Sequence, residues 1–165
     1  MVRISHILVP TDFSPTSDTA LDYARDIAAR FGASVQLLHV LQDPFVNGPL
    51  VTEAYVTETP GVRTTIMEDA KTRLAHRLTA RDREAFAARG EVVFGRDAET
   101  IVDYAADRGI DLIVMGTHGR TGMAHLLLGS VAERVVRTAH CPVLTVRFTP
   151  QIETVGVTAR VAEAT

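Results

Sequence analysis

The chain has 165 residues, 46% of them apolar and 22% charged, with a formal net charge of −3. That length and balance suit one globular domain with a sizeable core, and exclude a wholly disordered chain or a strongly basic nucleic-acid binder. Cys141 is the only cysteine, so no intramolecular disulfide and no cysteine-based zinc cluster can form. No apolar run nears the ~20 residues of a membrane span. The start, MVRISHILVPTDFS, lacks the charged-then-apolar pattern of a signal peptide. A cytoplasmic protein is expected, with neither membrane nor nucleic acid as partner.

Short apolar runs alternate with helical periods. Ile7-Leu8-Val9 reads as a strand buried on both faces, ended by Pro10. Ser14 followed by Pro15 opens a helix as N-cap and first residue. Leu21, Ala24, Ile27, Ala28 and Phe31 continue that helix, and Gly32 suits its stop. Val35 to Val40 is a second strand. Residues 42–63, with three prolines and two glycines, read as a long loop. Met67, Ala70, Leu74, Leu78 and Phe86 predict one long amphipathic helix, stopped by Gly90. Val92 to Phe94 is a third strand. Ile101, Val102 and Ala105 mark a helix ended near Gly109. Ile110 to Met115 is a fourth strand, Ser130 to Ala139 a helix, and Val143 to Val146 a fifth strand. Such alternation predicts a doubly wound α/β domain with a parallel sheet and helices on both faces. The domain spans residues 1–148. Residues 149–165 form a C-terminal tail, either loose or carrying an extra strand.

The segment from Met115 to Ser130, MGTHGRTGMAHLLLGS, joins a strand end to a helix start. In open α/β sheets, ligands sit outside the carboxyl ends of the strands. Glycines let backbone N–H groups approach an anion, and the next helix offers further N–H groups and its dipole. Arg120 could add a planar donor fork for phosphate. Ser130 and Glu133 fit a capping box. The spacing is neither a Walker loop, which needs a lysine, nor the dinucleotide fingerprint after a first strand. A flexible loop whose glycines only make turns remains the plain alternative.

Gly116-x2-Gly119-x9-Gly129-Ser130 resembles the motif of the ATP-binding subgroup of the universal stress protein family. Ile7 to Asp12, Asp111 to Gly122, Gly129 to Arg137 and Cys141 to Arg147 are similar to further family segments, in the same order. The resemblance covers residue 3 to about residue 148. It implies an open, Rossmann-like sheet of five parallel strands in order 3-2-1-4-5, of the adenine nucleotide alpha hydrolase type. It also implies an ATP site with Mg²⁺ held mainly by phosphates. Residues matching Pro10, Asp12 and Val40 would surround the adenosine. Those matching Met115, Gly116, Gly119 and Arg120 would line ribose and phosphates, and Gly129, Ser130 and Val131 would hold the terminal phosphates. Thr11 and His118 lie beside these positions and complete the candidate binding set.

The implied function is a nucleotide-linked stress-response regulator acting as a homodimer through the fifth-strand edge, Val143, Leu144, Thr145 and Val146. Two alternatives stand beside it. One is a slow ATPase or phosphoryl- or adenylyl-transfer enzyme on the same pocket, for which Asp12 and His118 are the only candidates to activate water. The other is a dimeric scaffold without nucleotide, against which the intact glycine motif counts. No catalytic or metal-ligating residue is assigned. His39 reads as a half-buried, hydrogen-bonded histidine bordering the pocket, and Cys141 as a buried inert thiol.

Overall fold

The computed structural model describes residues 3–42, 61–117 and 128–147. The first strand, β1 (His6–Pro10), leads through a four-residue turn into α1 (Pro15–Phe31). Ser14 caps α1: its hydroxyl accepts from the Ser17 N–H, and Pro15 takes the first helical position. Gly32 ends the helix in the left-handed region at φ 66°, where a side chain would be strained. Next come β2 (Ser34–Leu41), α2 (Val62–Arg77), α3 (Ala80–Phe86) and β3 (Arg89–Phe94). The chain continues through α4 (Asp97–Asp107), β4 (Leu112–Gly116), α5 (Ser130–Thr138) and β5 (Val143–Val146).

The strands form one sheet in the order β3-β2-β1-β4-β5. Every pairing is parallel, with Ile7 opposite both Val35 and Leu112. The expected fold is therefore present. Because β1 lies at the centre, alternate residues feed opposite faces. Ile7 and Val9 join Leu21, Ala24 and Ala28 of α1 and Ala70 and Leu74 of α2. Leu8 joins Ile101 and Ala105 of α4 and Ala132 and Val135 of α5. Ile7, Leu8 and Val9 are completely buried, and each contributes roughly 1.5–3 kcal/mol by leaving water.

Four sequence expectations change. The long helix expected up to Gly90 is broken at Leu78, whose backbone is extended. Thr79 restarts it with a full capping box: its hydroxyl accepts from the Asp82 N–H, and the Asp82 carboxylate accepts from the Thr79 N–H. Gly90 is not a helix stop. It lies in β3, where a Cβ would come within 2.8 Å of Leu74 Cδ2. At the start of α5 the expected Ser130–Glu133 box is absent. Gly129 is the N-cap without a side-chain bond, so Ser130 sits one position too late to cap. Finally, Val62 and Arg63 open α2 rather than close a loop. Element ends also shift by a few residues: β2 runs Ser34–Leu41, β3 begins at Arg89, β4 begins at Leu112 and runs through Gly116, and α5 ends at Thr138.

Residues 43–60 and the tail from residue 148 lie outside the described residues. None of the described helices is long and apolar enough to cross a membrane.

Candidate functional site: a cavity at the carboxyl edge of the sheet

A cavity of about 580 Å³ opens where the turn after β1 faces the end of β4 across the point of strand-order reversal. This is the crevice where open α/β sheets take ligands. Pro10, Thr11 and Asp12 line one side, Val40 borders it from β2, and Met115, Gly116, Gly129, Ser130 and Val131 line the other. Nine of the twelve residues expected at a binding site thus surround one space. The other three, His118, Gly119 and Arg120, lie outside the described residues.

The β1–α1 turn is held residue by residue. The Thr11 N–H donates to Leu38 O at 2.8 Å. The Thr11 hydroxyl oxygen accepts from the Phe13 N–H at 3.0 Å. The Ser17 hydroxyl donates to Ser14 O, which spends its proton, so the Thr11 hydroxyl is the donor in their 3.0 Å contact. Asp12 Oδ1 accepts from the Ser14 N–H at 3.1 Å. Asp12 therefore both shapes the turn and lines the cavity.

Phe13 sits in the left-handed region at φ 66°, which costs a non-glycine residue about 1–3 kcal/mol. Its ring packs 4.3 Å from that of His39, centroid to centroid. His39 Nδ1 lies 2.7 Å from Thr11 O. A carbonyl only accepts, so Nδ1 carries the proton. Burial is the main influence on the imidazole and holds its pKa below the ordinary 6.5. His39 is neutral at pH 7 and serves as a fixed donor to this turn.

The opposite side is fastened by main chain. The Thr117 N–H donates to Val146 O at 2.8 Å, and the Gly129 N–H donates to Thr117 O at 2.7 Å. That second bond ties together the two ends of the 118–128 connection. Gly116 is required by packing: a Cβ there would lie 2.8 Å from Thr16 Cγ2 and 3.3 Å from the Thr16 carbonyl carbon. Beyond it, α5 presents its first N–H groups, which lack intrahelical partners and favour an anion.

Sequence reasoning missed Gln42, Asp97 and Ile101, which also line the cavity. Gln42 Nε2 donates to Asp97 Oδ2 at 2.8 Å, joining the end of β2 to the start of α4. The available signal was position: Asp97 opens the helix that follows β3, at the same sheet edge. Among the described residues, no group of three His, Cys, Asp or Glu side chains could hold a metal ion. Cys141 is partly buried and packs against the second core cluster. Burial, as the leading influence, pushes its thiol pKa up, which makes it a poor nucleophile.

A sequence profile of the Universal stress protein family matches residues 3–147. The chain belongs to the universal stress protein family. Universal stress protein MJ0531 of Methanocaldococcus jannaschii is 37% identical over 148 residues, which is 86% of this chain and 81% of that protein. The solved structure of MJ0577, from the same organism, superposes with a TM-score of 0.76 at 33% identity. It covers 90% of this chain and 99% of its own. A universal stress protein solved in complex with cAMP superposes with a TM-score of 0.56 at 25% identity, over 87% of this chain and 97% of that one. The universal stress protein fold accounts for the strand order, and with it for the two turns that face each other across the cavity.

Proposed function

We propose that this chain binds an adenine nucleotide, with ATP the form its glycine motif fits, and works as a nucleotide-linked stress-response regulator in the cytoplasm. The observation that carries the reading is the convergence of Asp12, Gly116, Gly129 and Ser130 on one cavity. A carboxylate on one side suits ribose hydroxyls, which donate. Backbone N–H groups at the start of α5, with the Ser130 hydroxyl, suit phosphate. Leu38, Val40 and Ile101 between them supply apolar walls for a flat base. The cAMP held by a relative supports the ligand class. Mg²⁺, where it accompanies a triphosphate, is carried mainly on phosphate oxygens.

Binding would act by linkage. A ligand that favours one arrangement of the glycine segment shifts any equilibrium coupled to it. The coupled equilibrium in this reading is homodimerisation through β5. That strand is the sheet edge, and Leu144 is among the exposed large apolar residues; unpaired edges favour strand pairing.

Titration calorimetry with ATP tests the binding, and light scattering with and without nucleotide tests the dimer. ATP should bind, and Gly119→Val should weaken it at least about tenfold by blocking close backbone approach to phosphate. No heat of binding up to millimolar ATP rejects the reading. A monomeric mass at tens of micromolar rejects the dimer.

A further inference from the structure

Phe13 is outside the cavity lining, yet it follows Asp12 directly and carries a left-handed backbone. An aromatic residue keeps that conformation only where its surroundings impose it. Here the surroundings include two cations and a ring, beside the apolar cluster that buries Phe13. The Arg73 guanidinium carbon lies 4.2 Å from the Phe13 centroid and that of Arg77 lies 5.1 Å away. His39 covers the ring at 4.3 Å. Arg73 and Arg77 are four residues apart on α2, so one helix face presents both.

Arg77 also fixes the backbone. Its Nη2 donates to Phe13 O at 3.2 Å, while its Nε donates to Asp18 Oδ1 at 2.9 Å. The Arg77 carbonyl accepts in turn from Arg25 Nη2 at 2.9 Å. Arg25 is anchored to Asp82 through two bonds, at 2.8 and 2.7 Å. Ring and carbonyl of Phe13 are thus both held from the same helix. If φ of Phe13 left its present value, the chain would redirect Asp12 relative to the cavity.

We infer that Arg73 and Arg77 act through Phe13 as positioning residues for Asp12, setting its carboxylate to accept from the hydroxyls of a ribose. The identity of the ligand rests on the nucleotide reading above; the hold on Asp12 is a property of the free protein.

The test uses the full chain carrying R73Q and R77Q together, and a second form carrying R73K and R77K. Lysine keeps the cation over the ring. Two readouts are taken: hydrogen exchange of the Phe13 and Ser14 amides without ligand, and calorimetry with ATP and 2′-deoxy-ATP. Both amides bond within this turn, to Thr11 Oγ1 and Asp12 Oδ1. Their protection should fall about tenfold in the glutamine form and return in part in the lysine form, which keeps the cations but not the Arg77 fork on Phe13 O and Asp18. The parent should prefer ATP over 2′-deoxy-ATP by about tenfold, the size of a charge-assisted hydrogen bond. That preference should shrink below about threefold in the glutamine form, with 2′-deoxy-ATP, which keeps the 3′-hydroxyl, losing less affinity than ATP.

Unchanged amide protection in a folded glutamine form overturns the inference. So does lost protection with the ribose preference intact. If the parent binds no nucleotide, the proposed function fails separately and the amide readout alone decides the positioning. R73Q by itself leaves the Arg77–Asp18 pair in place and gives the same readouts should the double variant unfold.

Discussion

The β1–α1 turn, residues 11–14, is bonded through side chains at Thr11, Asp12 and Ser14, and each bond depends on a particular residue type. The β4–α5 junction across the cavity is fastened by main-chain bonds at Thr117 and Gly129. One wall is therefore specified by chemistry and the other by absence of bulk, at Gly116 above all. The difference matches the two parts of the proposed ligand. A ribose needs a placed acceptor, whereas a phosphate accepts from any N–H groups that can come close.

The largest effect should come from removing the prop behind the first wall. Asp82 is 4% exposed, and the Arg25 fork with the Thr79 bonds holds its pKa at about 2, below the ordinary 3.8. Asp82→Asn should cost about 3 kcal/mol by breaking the two-bond anchor of Arg25 to α3 and leaving it only the exposed Asp22 carboxylate. Because the folded pKa is depressed, the stabilisation is complete above pH 3.8 and disappears as pH falls towards about 2. Parallel urea titrations should show the parent losing about 2 kcal/mol across that window more than the variant does. Equal acid slopes would mean that the pair does not tie the prop down.

Gly116→Val attacks the second wall. Overpacking against Thr16 should cost about 2 kcal/mol and weaken nucleotide binding in calorimetry. Full affinity with the parent's melting temperature would show that the wall tolerates bulk after all. The smallest effect belongs to the cap at the end of the first wall. Ser14→Ala should lower stability by about 1 kcal/mol in chemical unfolding. A loss below about 0.3 kcal/mol would place the burden of this turn on Thr11 and Asp12 instead.

Much of this was readable in the residues, for definite reasons. Continuous apolar runs marked β1 and β4 because both faces of the central strands are covered, and Ser14-Pro15 with Gly32 marked both ends of α1. The break at Leu78 had one local signal, the Thr79-x-x-Asp82 capping box, which the apolar spacing outweighed. Apolar spacing runs unbroken from Met67 through Leu78, and Asp82 is further held by Arg25, 57 residues away. Ser130 was misplaced by one position because Gly129 can equally be an N-cap, and the Thr117 bond that makes it one is tertiary. The nine cavity residues were legible through motif and strand order together. The left-handed Phe13 had no local signal, and nothing in the sequence around Arg73 and Arg77 marks the ring they meet.

The central position of β1 has a consequence for the order of assembly. Its β2 partner begins at Ser34, but its other neighbour begins only at Leu112. Asp111 Oδ2 accepts from the Ser5 and His6 amides, spanning more than a hundred residues. During synthesis, β1 must wait with one edge open until roughly two-thirds of the chain has emerged. Closing so distant a contact makes folding slower than for a locally paired sheet. The strand that opens the cavity's first wall is thus made first, yet enclosed later than β2, which waits only for β3.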